Sequence, residues 1–163
     1  MAVLLGMITY QAVLLHNNPR GAILVRPDPK WKPGVALASI KGEMLGGPRQ
    51  TVDLSVGETV IYVFSPACAF CTRNIDNARS LHQAQGSKFI SISTTDVGLE
   101  SYIKKHQIKY PVYLRVSDLG TTGTPATLTV KNGVIDQYWF GWWVDDTKSK
   151  LEKYFGLILP GSN

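Results

Sequence analysis

Six consecutive residues, Thr59-Val60-Ile61-Tyr62-Val63-Phe64, are β-branched or aromatic, with no polar alternation. A strand of that composition has no face suited to water, so it belongs inside a sheet covered on both sides. Ser65-Pro66-Ala67 breaks the run. Beyond it, Cys71, Ile75, Ala78 and Leu81 recur at the three- and four-residue spacing of a helix, which starts near Cys68, extends to about Gln85 and stops at Gly86. A covered strand feeding a helix is half of a β-α-β unit, and that restricts the chain to α/β architectures with a parallel strand pair.

The rest of the chain completes such a unit and adds antiparallel strands. Lys88–Ser93 reads as the second strand, and Asp96 stands where it would cap a helix whose inner face is Leu99, Tyr102, Ile103 and His106. Ala126–Val130 and Val134–Phe140 flank Asn132-Gly133, the strongest short signal for a hairpin. A last helix has Asp145 and Asp146 in its first turn and Lys148, Lys150 and Lys153 later, with Leu151, Tyr154, Phe155 and Ile158 as its buried stripe. Upstream, Val35–Ile40 and Gln50–Leu54 alternate on either side of Gly46-Gly47-Pro48, which predicts a first hairpin. The expected fold is therefore α/β, a mixed central sheet with helices on both faces and an N-terminal β-hairpin extension.

A chain of 163 residues can bury one sizeable core. The domain is expected over 33–158, with 159–163 as a tail. Residues 17–34 contain four prolines and two glycines, so 17–32 reads as a linker. Residues 1–16 form an apolar N-terminal segment, uncharged throughout. As a helix, residues 1–15 would span about 22 Å against a hydrocarbon core of about 30 Å. A membrane anchor, a cleaved signal and an extra element docked on the domain all stay open. No basic residue precedes the run, as a signal peptide would require, and Arg20 and Arg26 follow it, which favours a cytoplasmic flank. Of the net charge of +5, +4 comes from residues 1–50, and the remainder is nearly balanced. The catalytic part is thus not the basic surface of a nucleic-acid binder.

Cys68 and Cys71 are the only cysteines. Two are too few for a disulfide scaffold, and so short a loop constrains little chain. A zinc site needs about four ligands, whereas His16, His82 and His106 are far from the pair in sequence and no second C-x-x-C or C-x-x-H exists. No metal and no cofactor is expected. The placement at a strand-to-helix junction points to redox chemistry. A sulfur at the helix start meets unpaired backbone N–H groups that favour its thiolate, whereas one turn deeper it does not. Cys68 is the expected nucleophile and Cys71 the resolving thiol.

Three passages in order then carry a resemblance: Ser65-Pro66-Ala67-Cys68-x-x-Cys71 between strand and helix, Lys109-Tyr110-Pro111-Val112-Tyr113 after the second helix, and Gly123-Thr124-Pro125 directly before the Asn132-Gly133 hairpin that ends in Gly141. Over about residues 33–156 the chain resembles the thioredoxin superfamily, in particular the TlpA-type redoxins, membrane-tethered thiol–disulfide oxidoreductases of the bacterial cell envelope. The resemblance implies a thioredoxin-like fold, a cis-proline at Pro125 opposite the dithiol, and a partner chain pairing with the backbone of Thr124, beside Gly123, Pro66 and Phe70. It implies a monomer that exchanges electrons with protein thiols, as a reductant of apocytochrome or metallochaperone cysteines fed by an upstream donor. The implied location is the bacterial inner membrane facing the periplasm, with the cytoplasm left open.

The departures from that pattern are specific. Tyr62 stands six residues before Cys68, where thioredoxins carry a buried acid, and Ala69-Phe70 replace the usual proline-containing pair. The proton acceptor for Cys71 is therefore open; Asp96 is a candidate acid, with an exposed helix cap as its other reading. Phe64, Pro66, Phe70, Tyr110 and Trp139 form either a rim for a partner or core, and Trp142 and Trp143 are not placed. Three rival functions remain at this point: a disulfide-forming oxidant, a peroxidase with Ser65 in the peroxide-binding position, and a non-enzymatic binding module of a membrane complex.

Overall fold

The computed structural model describes residues 30–117, 119–121, 123–141 and 145–160. The apolar segment 1–16, most of the expected linker, and Trp142 and Trp143 lie outside the described residues. The elements run β1 (Ser39–Met44), β2 (Arg49–Asp53), β3 (Glu58–Phe64), α1 (Ala69–Arg73), α2 (Ile75–Gln85), β4 (Phe89–Ser93), α3 (Leu99–His106), β5 (Val112–Leu114), β6 (Ala126–Lys131), β7 (Val134–Phe140) and α4 (Asp145–Phe155).

One sheet holds all seven strands in the order β2-β1-β5-β4-β3-β6-β7. β3, β4 and β5 are parallel neighbours, as two successive β-α-β units require. The first hairpin adds antiparallel to β5, and the last adds antiparallel to β3. The doubly apolar strand lies inside the sheet as its composition demands: Val60, Ile61, Tyr62, Val63 and Phe64 are all buried. Val60, Tyr62 and Phe64 point into one core with Cys71, Ala78, Leu81, Leu99, Tyr102 and Leu151, so the buried side chains of α1, α2, α3 and α4 all gather on this face. Ile61 and Val63 point into a second core with Ile90, Ile92, Leu128 and Ile135. The mixed sheet flanked by helices is as expected. The described helices occupy one face, however, and Trp31, Val35, Leu37, Val116 and Leu119 pack over the other.

Several local readings are corrected. The alternation at Val35–Ile40 belongs mostly to a different pairing: Gly34 and Leu37 donate N–H to the carbonyls of Ile135 and Gly133, at 2.8 and 2.7 Å. This segment satisfies the free edge of β7, and the first strand of the hairpin begins only at Ser39. β5 was not foreseen, because three residues between Pro111 and Arg115, whose φ is 49°, carry no period. Asp96 does not cap α3: Gly98 occupies the N-cap, without a side-chain bond. α4 ends at Phe155 and Gly156 turns the chain at φ 64°. Ile158 therefore leaves the helical stripe and is 90% exposed, while Leu159 takes the buried place. The packed body is wider than 33–158, since Trp31 and Leu159 are both in the cores. Trp31 lies against Gly120, where any Cβ would overlap its ring.

Candidate functional site

The end of β3 delivers the two cysteines. Ser65 caps a tight turn in which its hydroxyl accepts from Ala67 N–H at 3.3 Å and its carbonyl accepts from Cys68 N–H at 3.1 Å. Cys68 is then the N-cap of α1, with extended backbone, φ −87° and ψ 109°. Its sulfur accepts the Cys71 N–H at 3.1 Å, the role a capping oxygen plays elsewhere. The helix is not continuous to Gln85 as expected. It breaks at Asn74, a fully buried amide that donates to the Phe70 carbonyl at 2.9 Å and accepts from the Asn77 side chain at 3.0 Å. A five-residue α1 has little macrodipole. The field on Cys68 is therefore set by individual hydrogen bonds.

Those bonds separate the two thiols. Cys68 is half-buried, and its pKa is lowered to about 6, chiefly by the hydrogen bond from the Cys71 thiol, with the contact to Thr124 and backbone N–H groups adding to it and burial opposing it. Cys71 is fully buried, and burial pushes its thiol well up, with the bond it donates to Cys68 acting in the same direction. One sulfur is held as an accessible thiolate and the other as a protonated thiol behind it. Across from them, the Thr124–Pro125 peptide bond is cis, and the Thr124 carbonyl lies 3.7 Å from Cys68 Sγ. Pro125 is buried, and its carbonyl accepts from Gly141 N–H at 3.0 Å. Gly123 is fixed by Thr121, whose hydroxyl donates to the Gly123 carbonyl at 2.9 Å and sits 3.0 Å from the Tyr138 hydroxyl.

No protein-family model and no curated protein matches this sequence. Solved structures do match. A thioredoxin-family thiol:disulfide interchange protein from Chlorobium tepidum has a TM-score of 0.59 at 18% identity, over 76% of this chain and 94% of that one. StoA from Bacillus subtilis gives 0.57 at 15% identity, over 74% and 98%. A secreted disulfide oxidoreductase of Mycobacterium tuberculosis, homologous to E. coli DsbE, gives 0.57 at 17%, over 71% and 93%. The fold is thioredoxin-like. At these identities the likeness concerns architecture alone.

Within this thioredoxin-like frame, Cys68, Cys71, Thr124 and Pro125 meet at one point, although 56 residues separate Cys68 from Thr124. Pro66 is half-buried beside them, and Phe70 is 50% exposed. Of the residues left open between rim and core, Phe64, Tyr110 and Trp139 are core, Phe64 stacked on Tyr102 and the other two edge-on to aromatic rings. Asp96 is exposed and bonded to Arg115 at 3.0 Å. Among the described residues no cluster of His, Cys, Asp and Glu is arranged to hold a metal.

Sequence reasoning placed Tyr102 on the inner face of α3 but gave it no part at the dithiol, and it missed Asn74. Tyr102 packs on Phe64 at 5.7 Å between centroids and joins the core around Cys71; burial raises its pKa to about 12. Asn74 holds the first helical turn in place. Its signal was available: an amide placed four residues after Phe70 competes for the helix's own carbonyls.

Proposed function

We propose that this chain is a thiol–disulfide oxidoreductase that reduces disulfides in partner proteins. The Cys68 thiolate attacks one sulfur of a partner disulfide, and the other partner sulfur leaves as a thiolate. Cys71 loses its proton and attacks Cys68 Sγ, releasing the second partner thiol. Two electrons pass to the partner, and Cys68 and Cys71 end as an intramolecular disulfide, which an upstream dithiol donor reduces again. The observation that carries this reading is the division between the sulfurs. The accessible one is stabilised as a nucleophile at neutral pH, with its pKa at about 6, and the buried one stands within hydrogen-bonding reach to resolve the intermediate. The half-buried Thr124 backbone beside Cys68 supports a protein partner, because an extended chain can pair with a segment so placed as an added strand.

The stabilised thiolate also bears on direction, since anything favouring the reduced form makes the disulfide more oxidising. A pKa of about 6 gives roughly ten thiolates per thiol at pH 7, worth about 30 mV in a two-electron couple. Solvent screening of a half-exposed sulfur reduces that further. Thioredoxin and the strong oxidant DsbA are about 150 mV apart. A shift of that size is well short of that gap, which favours the reductant reading, with cysteines of apocytochrome or metallochaperone type as its kind of substrate. A placement outside the cytoplasm is part of the proposal, supported by a structurally similar protein described as secreted. No helix among the described residues is long and apolar enough to cross a membrane.

The test is trapping. Cys71→Ser, expressed in the native host, is expected to accumulate partner proteins disulfide-linked to Cys68, and Cys68→Ser to trap none. Equal yields of linked partners from the two variants would contradict the assigned roles.

A further inference from the structure

Two depressions on the helical face meet at Lys105. The first, about 320 Å³, starts beside the dithiol at Pro66 and Ala67 and follows α3 along Gly98, Ser101 and Tyr102 to Lys105. Its walls are mainly apolar, with Val97 78% exposed at the rim. The second, about 700 Å³, continues from Lys105 between the C-terminus of α3 and α2, lined by Arg79, His82, His106 and Lys109 among others. None of its lining residues is acidic.

The second depression has a fixed cationic wall. Arg79 is anchored by Asp76 at 2.6 Å and by the His106 carbonyl at 2.9 Å, and these two bonds leave its other guanidinium N–H groups available. The Asp76 carboxylate adjoining the cleft is thereby engaged. His82 Nδ1 is buried with no hydrogen-bond partner among the described residues. Lys105 and Lys109 add two ammonium groups. The charge of residues 51–163 is nearly balanced, so this concentration is local.

We infer that the partner polypeptide is recognised along this track: next to its reacting cysteine it lays an extended apolar stretch over Pro66 and the α3 face, and beyond that it places acidic side chains in the cleft of Arg79, Lys105 and Lys109. This rests on the exchange reading and names the class of substrate for the same dithiol. Gly98, Ser101, Tyr102 and Lys105 lie on one helical stripe that advances about 10 Å. An extended peptide covers that length in about three residues at ~3.3 Å each. With the leg over Pro66 and Ala67 still to be covered, the first acidic residue belongs at least about four residues from the partner's cysteine. Charge complementarity of this kind acts mainly on encounter rate and on the choice between partners.

The test uses the reduced full chain and two peptide disulfides. Each is a homodimer linked through one cysteine, with a run of glutamates starting about four residues away or with the same run as glutamines. Wild type is expected to reduce the acidic dimer about fivefold faster or more at low ionic strength. The advantage should shrink toward unity at about 1 M salt, where the Debye length is about 3 Å. Lys105→Glu/Lys109→Glu, checked for native circular dichroism, is expected to lose or invert the preference, and Lys105→Arg/Lys109→Arg to keep it. Equal rates for the two dimers with the wild type, or a preference that survives charge reversal, would overturn the inference and leave the exchange activity standing. Failure of the folded wild type to reduce either dimer would overturn the exchange reading and this inference together.

Discussion

The two sulfurs are distinguished by hydrogen-bond direction more than by position on a helix. Cys68 accepts from Cys71 twice, through the backbone N–H at 3.1 Å and through the thiol, whereas Cys71 gives up a donor and is sealed in the core. The alkylation rate of Cys68 by iodoacetamide should accordingly rise with a midpoint near pH 6 and level off above about pH 7, and Cys71 should not react in the folded protein. A midpoint above pH 8, read by mass spectrometry of the labelled peptides, would refute the assignment. Stability follows by linkage. The folded pKa of Cys68 lies below its unfolded value of about 8.5, so its contribution is complete above that value and is lost as pH falls through about 6. Cys71, shifted up, contributes in the opposite sense: its share is complete below the unfolded value and is lost at higher pH. The reduced wild type should therefore gain melting temperature relative to Cys68→Ala as pH rises from 6 toward 8.5. The placement of the C-x-x-C pair where a strand meets a helix was legible in the sequence as a local pattern, and the cis bond before Pro125 was an expectation of the family resemblance. Asp96 was read without its partner, since Arg115 reaches it only through the fold.

Element identity was legible wherever a period ran long enough. β3, β6, β7 and the two longer helices α2 and α4 appear close to where their patterns lie. The reading failed where a neighbour decided the outcome: β5 exists because β1 and β4 flank it, and residues 34–37 pair with β7 because that edge was free. The break between α1 and α2 depends on Asn74. Asn74→Ala would strip the Asn77 side chain of its acceptor inside the core, at a cost of about 1–3 kcal/mol. Urea unfolding should show this as a lower midpoint with an unchanged slope. At the other face, Gly120 allows Trp31 to close the second core. Gly120→Ala is expected to displace that indole, seen as a red shift in tryptophan emission and a stability loss of about 1–3 kcal/mol. An unchanged spectrum would mean that the Trp31 packing is wrong.

The molecule as a whole is a seven-stranded sheet between two unequal coverings, with the dithiol at the helical side where β3 ends. The second core stabilises the sheet without touching the sulfurs. Leu128→Ala, at a fully buried position of β6 in that core, should cost about 2–5 kcal/mol, or about 5–20 °C in melting temperature, while leaving the Cys68 alkylation profile in place. A changed profile would show that the two halves are coupled. The topology of two β-α-β units and a terminal hairpin was readable from the order of patterns. The one-sided placement of the described helices was not, because it depends on which strands become neighbours. The proposed function requires a reversible bond between Cys68 and Cys71. The decisive measurement is equilibration of the purified chain with glutathione redox buffers, followed by acid quench, alkylation and mass analysis. The expected result is one two-electron transition between dithiol and intramolecular disulfide, at a potential within about −300 to −180 mV. Thiols that stay reduced in fully oxidised glutathione, or a Cys68–glutathione adduct that Cys71 never resolves, would contradict it.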